Sequence, residues 1–275
     1  MDMIERDGAR CPVLGLGTWD LRGKAARTAV AEAIALGYRH IDTARVYENE
    51  AEVGAGIADS AIARKDLFVT TKVAPANLRA ADLRRSAESS LADLGCDYVD
   101  LLLIHWPNPD LPLDPSLRAM ADLRDEGLTR HIGVSNFNVR RMEAAVAAGV
   151  GDIFCNQVEY HPGLSQATLL AALRAMNVPL VAYSPLDKGR AAKDATLAAI
   201  GAGHGKSAAQ VTLRWLIQQP GVIAIPKAGR PEHMKANLDI FDFTLSDDEM
   251  ARIHALARPD GRQTGVDAEG LDWDN

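Results

Sequence analysis

Short apolar runs recur along the whole chain and are separated by segments with helical periodicity. The eight runs have the length and composition of buried strands and lie at residues 13–16, 38–41, 67–71, 98–104, 132–134, 153–155, 180–183 and 222–225. In the intervening segments apolar residues return every three or four positions, which predicts amphipathic helices. These segments are residues 25–36, 83–94, 117–124, 139–148, 169–176 and 208–217.

Strands that alternate with helices favour a parallel sheet with right-handed crossovers. Eight such units over roughly 250 residues predict a closed (β/α)8 TIM barrel. An open doubly wound sheet is the alternative, but GLGTWD at residues 15–20 lacks the third glycine that such a sheet normally carries after its first strand. The Asp7-Gly8 pair predicts an N-terminal β-hairpin before the barrel. No linker or shift in composition divides the chain, so we expect one barrel domain over residues 1–275.

Capping residues mark where several helices begin. Ser207 and Ser246, each followed three residues later by Gln or Glu, predict capping boxes. Asp114 followed by Pro115 predicts a helix with the aspartate as N-cap and the proline as first residue. A further helix is expected to begin near Pro231.

The composition is that of a folded protein with a sizeable core, since 47% of the 275 residues are hydrophobic and 24% are charged. The formal net charge of −7 argues against a broad nucleic-acid surface and against binding to anionic lipid. No apolar run approaches the roughly 18 residues of a membrane span, and the acidic N-terminus lacks the pattern of a signal peptide. We therefore expect a cytoplasmic location with no membrane or nucleic-acid partner.

Cysteine and histidine spacing argues against a metal site. Cys11, Cys96 and Cys155 lie far apart, form no C-x-x-C pair and are odd in number, which favours neither a disulfide framework nor a zinc site. The seven histidines show no H-E-x-x-H motif and no clustered ligand spacing. The sequence therefore predicts no metal and fits a reducing compartment.

Four chemically active side chains follow the predicted strands at their C-terminal ends, the end of a (β/α)8 barrel that carries the active site. Asp42 ends the second strand, and Tyr47 follows five residues later. Lys72 ends the third strand, and His105 ends the fourth. Each also has a simpler interpretation by itself: Asp42 as a helix cap, Lys72 as a lysine that reaches solvent, and His105 as a hydrogen-bonded core residue.

Brought to one rim, these four side chains would form a proton-transfer group. A buried ammonium beside a phenol favours the phenolate, so we expect Lys72 to lower the pKa of Tyr47 from about 10 towards neutral pH. The Asp42 carboxylate would keep the lysine charged. Tyr47 would then protonate a developing alkoxide, which is what reduction of a carbonyl by hydride requires.

Motifs throughout the chain resemble the signature blocks of the aldo-keto reductases. They are GLGTW at residues 15–19, IDTARVYENE at 41–50, TK at 71–72, LIHWP at 103–107, IGVSNF at 132–137, NQVEYHP at 156–162 and IPK at 225–227. The blocks stand in the family's order and span nearly the whole chain. The short loops, with DGR at 260–262 and EGLDWD at 269–274, further resemble the compact bacterial 2,5-diketo-D-gluconate reductase and methylglyoxal reductase group.

The resemblance implies a catalytic tetrad without substitution, formed by Asp42, Tyr47, Lys72 and His105. Tyr47 would be the general acid, and Lys72, tied to Asp42, would tune its pKa. His105 would orient the substrate carbonyl and share in the proton relay.

The resemblance also implies substrate contacts, at Trp19, Val46, Tyr47, His105 and Trp106. Each tryptophan could instead be a core residue, an alternative that the sequence leaves open. A further tryptophan of the family, two residues after the lysine, is Ala74 here. This replacement would open one wall of the pocket and weaken aromatic stacking on the substrate.

A nicotinamide dinucleotide, NADPH or NADP, is the cofactor that the resemblance implies. The nicotinamide ring would stack on Tyr183, and its carboxamide would bond to Ser135, Asn136 and Gln157, which fixes the face that presents the hydride. The other implied contacts are Gly17, Thr18, Trp19, Asp42, Ser184, Pro185, Leu186, Ile225, Pro226, Lys227, Ala228, Gly229, Arg230, His233 and Asn237.

Two of these positions depart from the family's pattern. Ala228 stands where a serine usually follows Lys227, and His233 stands where an arginine usually clamps the 2′-phosphate of NADPH. A neutral histidine cannot form the bidentate fork of arginine, although Arg230 lies nearby. We therefore expect use of NADPH, with NADH more competitive than is usual. Asn237 matches a position that contacts adenine in the family.

The function implied is NAD(P)H-dependent reduction of aldehydes, ketones or small dicarbonyls to alcohols by a monomeric oxidoreductase. One alternative is a non-catalytic, cofactor-binding or structural protein of the same fold. Another is a barrel hydrolase or isomerase with a phosphate site near the eighth strand. The latter leaves Tyr47 and Gln157 without a role.

Overall fold

An antiparallel hairpin precedes the barrel, formed by β1 (Met3–Arg6) and β2 (Ala9–Pro12). Gly8 lies in its turn with a φ of +78°, a conformation that glycine adopts without strain. Asp7, the other predicted turn residue, lies outside the described residues, which are those at 2–6, 8–265 and 272–274 of this computed structural model. The predicted hairpin is confirmed, and its apolar side chains pack against residues inside the barrel.

Eight parallel strands follow one another around the barrel in chain order. They are β3 (Leu16–Gly17), β4 (His40–Asp42), β5 (Phe68–Val73), β6 (Val99–Ile104), β7 (Thr129–Ser135), β8 (Ile153–Glu159), β9 (Leu180–Tyr183) and β10 (Val222–Ala224). A parallel bridge pairs Leu14 with Ala224. The Gly17 amide donates to the Pro226 carbonyl at 3.1 Å. These contacts join the last strand to the first, which confirms the (β/α)8 barrel and excludes the open sheet.

Helices pack around the strands, and all six predicted helical segments are confirmed. In the described residues the α-helices are α1 (Gly23–Leu36), α2 (Glu50–Ala58), α3 (Ala80–Leu94), α4 (Leu113–Asp125), α5 (Val139–Ala147), α6 (Ala167–Ala175), α7 (Ala195–His204), α8 (Ala208–Gln218), α9 (Pro231–Leu238) and α10 (Asp247–His254). Among these helices, none combines the length and the apolar character needed to cross a membrane. The assignment of residues 1–275 to one domain stays a prediction.

The starts of four helices test the capping signals. Ser207 and Ser246 each form a complete capping box with the residue three positions later, as predicted. Pro231 is the first residue of α9, also as predicted. The prediction for α4 was wrong, because this helix begins before Asp114 and places that carboxylate in its first turn. Pro115 is tolerated there because the amides of the first turn have no partner within the helix.

Strand residues alternate between the barrel interior and the helices, and this alternation builds the site. In β6, Leu101 and Leu103 belong to the interior cluster, whereas Leu102 packs with the helices. In β5, Phe68 lies in the same interior cluster, and Lys72, four residues later, faces the same way. The lower part of the interior is therefore mainly apolar, with the buried His40 packed against Phe68, and polar side chains close the upper end.

Candidate active site

The four predicted catalytic side chains converge at the C-terminal ends of the strands. The buried ammonium of Lys72 donates to Asp42 Oδ1 at 2.5 Å and to the Thr43 carbonyl at 2.8 Å. Its third contact is the hydroxyl of Tyr47, at 3.3 Å. The imidazole of His105 lies edge-on to the Tyr47 ring, with 5.6 Å between the ring centroids. The structure therefore places all four side chains in one contiguous group.

Charge pairing keeps the buried lysine protonated. Burial by itself would lower the pKa of Lys72, but Asp42 and Tyr47 together raise that pKa above its ordinary value of 10.5. His105 behaves in the opposite way, because burial and the nearby ammonium lower its pKa to about 3. The group therefore contains a charged ammonium beside a neutral imidazole at neutral pH.

The expected lowering of the Tyr47 pKa is wrong. Burial of the phenol raises the pKa of Tyr47 above its ordinary value of 10.0, although Lys72 acts against this shift. The Asp42 carboxylate offsets part of the field of the ammonium at the phenol. Tyr47 is therefore protonated at neutral pH, which is the state that a proton donor requires.

A floor of amide side chains extends the group across the barrel. The Gln157 side-chain amide donates to Asp42 Oδ2 at 2.7 Å, and the Ser135 hydroxyl donates to the Gln157 carbonyl at 2.7 Å. The Asn136 amide donates to the His105 carbonyl at 3.0 Å, while its oxygen accepts from the Tyr183 hydroxyl at 2.8 Å. Of the residues predicted to hold the nicotinamide, Gln157 and Asn136 are thus bonded directly to members of the tetrad, while Ser135 and Tyr183 are bonded to these two amide residues.

A cavity of about 480 Å³ opens above this floor. The predicted site residues that line it are Gly17, Trp19, Asp42, Val46, Tyr47, His105, Trp106, Asn136, Gln157, Tyr183, Ser184, Ile225 and Lys227. Trp19 and Val46 stand at its rim with 57% and 47% of their surface exposed, so the core alternative for Trp19 is wrong. Lys72 does not line the cavity. It lies behind Tyr47 and contacts two residues that do, Tyr47 and Asp42.

The remaining predicted cofactor residues lie outside the cavity wall: Thr18, Ser135, Pro185, Leu186, Pro226, Ala228, Gly229, Arg230, His233 and Asn237. Thr18, Ser135 and Asn237 are buried. Arg230 and His233 are exposed at the start of α9, where the guanidinium lies 2.8 Å from the imidazole. Arg230 therefore stands next to the position that the family's arginine would occupy.

Four residues of the cavity wall were missed by the sequence analysis: Lys188, Gln263, Thr264 and Gly265. Lys188 lies in the segment after β9, close to the predicted cofactor residues. The other three belong to the C-terminal segment, which carries no periodic pattern. The signal that could have found them is Glu159, a carboxylate in the last position of the strand β8. It accepts hydrogen bonds from the Gln263 and Thr264 amides.

Comparisons with known proteins agree with the fold and the motifs. The model described as the Aldo/keto reductase family matches residues 13–258. The methylglyoxal reductase DkgB of Escherichia coli O157:H7 is 39% identical over 96% of this chain and 99% of its own. Morphine 6-dehydrogenase of Pseudomonas putida is 39% identical over 97% of this chain and 94% of its own. A solved structure with the provisional description of a 2,5-diketo-D-gluconic acid reductase B superposes with a TM-score of 0.97 and 44% identity, covering 100% of this chain and 98% of its own. The chain belongs to the aldo/keto reductase family.

Proposed function

We propose that this protein reduces aldehydes, ketones or small dicarbonyls to alcohols with NADPH, and accepts NADH as well. The observation that carries the proposal is the contact of a charged, buried Lys72 with a protonated Tyr47 at the floor of an open cavity. Relatives whose names describe reduction of methylglyoxal or dehydrogenation of morphine support alcohol–carbonyl chemistry.

The residues of the cavity suit a nicotinamide dinucleotide. Tyr183 borders the cavity beside the tetrad. The side-chain NH₂ of Gln157 donates to Asp42, and in the described part of the chain no group donates to Gln157 Oε1, so this oxygen can accept from a ligand amide. Lys188 and Lys227 line the cavity, whereas Asp42, the one carboxylate that the described residues contribute to its wall, is paired with Lys72. This wall is therefore positively charged in a chain of net charge −7, as an anionic cofactor requires.

The chain's own groups then perform the proton chemistry. When bound, the reduced cofactor supplies a hydride to the carbonyl carbon. Tyr47 donates its hydroxyl proton to the carbonyl oxygen as negative charge develops there, and Lys72 stabilises the phenolate that remains. Neutral His105 borders the same cavity, where its imidazole can hydrogen-bond the carbonyl and restrict the pose of the substrate.

The expected preference between NADPH and NADH rests on two residues at the start of α9, Arg230 and His233. Arg230 is exposed there and can reach a 2′-phosphate, while His233 cannot supply a second bidentate fork. We therefore place the preference for NADPH well below that of a site with both a lysine and an arginine clamp. His233→Arg should raise the preference for NADPH about ten-fold, since one charge-assisted pair contributes on the order of 1.4 kcal/mol.

The test is a panel of carbonyl compounds run with both reduced cofactors, followed by loss of cofactor absorbance. Turnover of at least one aldehyde or dicarbonyl supports the proposal. Binding of both cofactors with no turnover across a broad panel would instead support a non-catalytic role. A preference for NADPH of several thousand-fold in the unchanged protein would show that the cofactor argument is wrong.

A further inference from the structure

A second group of buried polar side chains lies beside the tetrad, at the end of β8. Glu159, the last residue of β8, is fully buried. Its oxygens accept from the Gln263 amide at 3.0 and 3.1 Å and from the Thr264 amide at 2.9 Å. The imidazole of His161 lies 3.0 Å from Glu159 Oε1. This carboxylate thus ties the C-terminal segment to the barrel.

The segment held in this way forms part of the catalytic cavity. Gln263, Thr264 and Gly265 line the wall, next to Trp106. Gly265 has a φ of +70°, and a Cβ placed on it would lie 2.6 Å from the Trp106 ring. The backbone therefore packs directly on the indole. A shift of this segment would change the size of the cavity on the side of Trp106.

The side chain of Gln263 makes a second connection. Its amide donates to Asp187, a buried residue of the segment after β9, and the Lys188 ammonium lies 3.4 Å from the Gln263 carbonyl. That segment also contributes Ser184 to the cavity. Two loops that border the same cavity are therefore connected through one glutamine.

No step of the proposed reaction uses Glu159, and a buried carboxylate is costly unless it is fully hydrogen-bonded. The partners that satisfy its side chain are the two main-chain amides of the C-terminal segment and the His161 imidazole. Glu159→Gln keeps the volume but replaces one acceptor oxygen by an NH₂ group, which would face donors. This variant should loosen the segment, because it removes the charge and one of the two acceptor oxygens, and among the described residues no main-chain hydrogen bond of the barrel strands depends on that side chain.

We propose that Glu159 is a positioning residue that holds residues 263–265 against Trp106 and thereby sets which carbonyl substrates fit. This inference rests on the proposed function. Substrates whose unreactive end extends to residues 263–265, such as aromatic aldehydes, depend on the held wall. Small dicarbonyls, which fill only the space at Tyr47 and His105, do not.

Hydrogen exchange tests the anchoring without any need for turnover. In Glu159→Gln, the amides of Gln263 and Thr264 should exchange at least about ten-fold faster than in the unchanged protein, because the one oxygen that remains is an uncharged and therefore weaker acceptor. The matched control is Asp100→Asn, which alters a buried carboxylate that accepts the Val69 amide at the opposite end of the barrel. This control should leave the exchange of both C-terminal amides unchanged. Equal exchange in Glu159→Gln and the unchanged protein would overturn the proposal.

Kinetics test the consequence for specificity. For an aromatic aldehyde, Glu159→Gln should raise KM about ten-fold with kcat within two-fold, because lost positioning weakens binding more than chemistry. KM for a small dicarbonyl should stay within two-fold. Equal changes for both substrates would overturn the specificity claim. If no carbonyl is reduced at all, the proposed function is wrong. The hydrogen-exchange result then still shows whether Glu159 holds residues 263–265.

A second variant covers the case in which Glu159→Gln does not fold. Gln263→Ala removes the connection to Asp187 but keeps the main-chain amide that donates to Glu159. It should raise KM for the aromatic aldehyde about three-fold, as expected for loss of one hydrogen bond. An unchanged KM for the aromatic aldehyde would contradict the proposed role of the wall.

Discussion

Asp42 is the counter-ion of a fully buried ammonium, so Asp42→Asn should cost the protein much of its stability. The replacement keeps one oxygen that can accept from Lys72, but its new NH₂ group faces the donating amide of Gln157. Breaking a buried ion pair costs about 3–5 kcal/mol. Since the Thr43 carbonyl still accepts from Lys72, we expect the low end, a loss of about 3 kcal/mol in the free energy of unfolding. That loss stays below the roughly 5 kcal/mol needed to neutralise an ordinary lysine at pH 7.

Urea unfolding at pH 7, with the slope against urea compared between variants, measures this loss. The matched control is Asp59→Asn, which breaks an exposed ion pair with Arg27 and should produce only a small fraction of the effect. Because Asp42 raises the pKa of Lys72 above 10.5, the stabilisation is fully present below that pH and is lost as pH rises through the folded-state pKa. The difference between the unchanged protein and Asp42→Asn should therefore be constant from about pH 6 to 7.5, and it should shrink towards pH 9, where neutralising Lys72 in the variant becomes the cheaper alternative.

Two outcomes would refute this reasoning. A loss below about 1 kcal/mol for Asp42→Asn would mean that the buried ammonium does not depend on its carboxylate. An effect that changes steeply between about pH 6 and 7.5 would mean that Lys72 titrates there, contrary to its raised pKa.

Two further predictions concern the tetrad histidine and the barrel closure. His105, with its pKa lowered to about 3, should remain neutral in NMR titration from pH 8 to 5, and a transition near pH 6.5 would contradict its burial beside Lys72. Gly17→Ala should destabilise the fold by about 3 kcal/mol or more, because the new Cβ would lie 2.6 Å from the Ile225 carbonyl oxygen. Gly203→Ala, in α7 with open space around it, is the control and should be neutral or stabilising in the same denaturation assay.

The barrel could be predicted because its signal is periodic and local. Eight strand-sized runs, all but the second followed by a predicted helical segment or a capping signal, leave few ways to pair the strands. The strand-end rule then points to Asp42, Lys72 and His105. The helix α2 was missed because Gly54 and Gly56 lower its helix propensity. Its glycines serve packing instead, since a Cβ on Gly54 would collide with the backbone at Leu94.

What could not be predicted depends on three-dimensional proximity. The direction of the Tyr47 pKa shift results from burial and from the Asp42 carboxylate, neither of which sequence spacing measures. The wall at residues 263–265 is placed by hydrogen bonds to Glu159, about a hundred residues earlier in the chain. The motif that contains Glu159 was recognised, but a motif does not show which distant segment a buried carboxylate holds.

The most direct test of the account is Tyr47→Phe, which removes the proton donor and keeps the aromatic ring. We expect kcat for the best carbonyl substrate to fall at least about 100-fold, the usual contribution of general acid catalysis. The dissociation constant of NADPH, measured by quenching of tryptophan fluorescence, should stay within two-fold, because the proposed cofactor contacts lie elsewhere. Turnover within about ten-fold of the unchanged protein would contradict the assignment of Tyr47 as the acid.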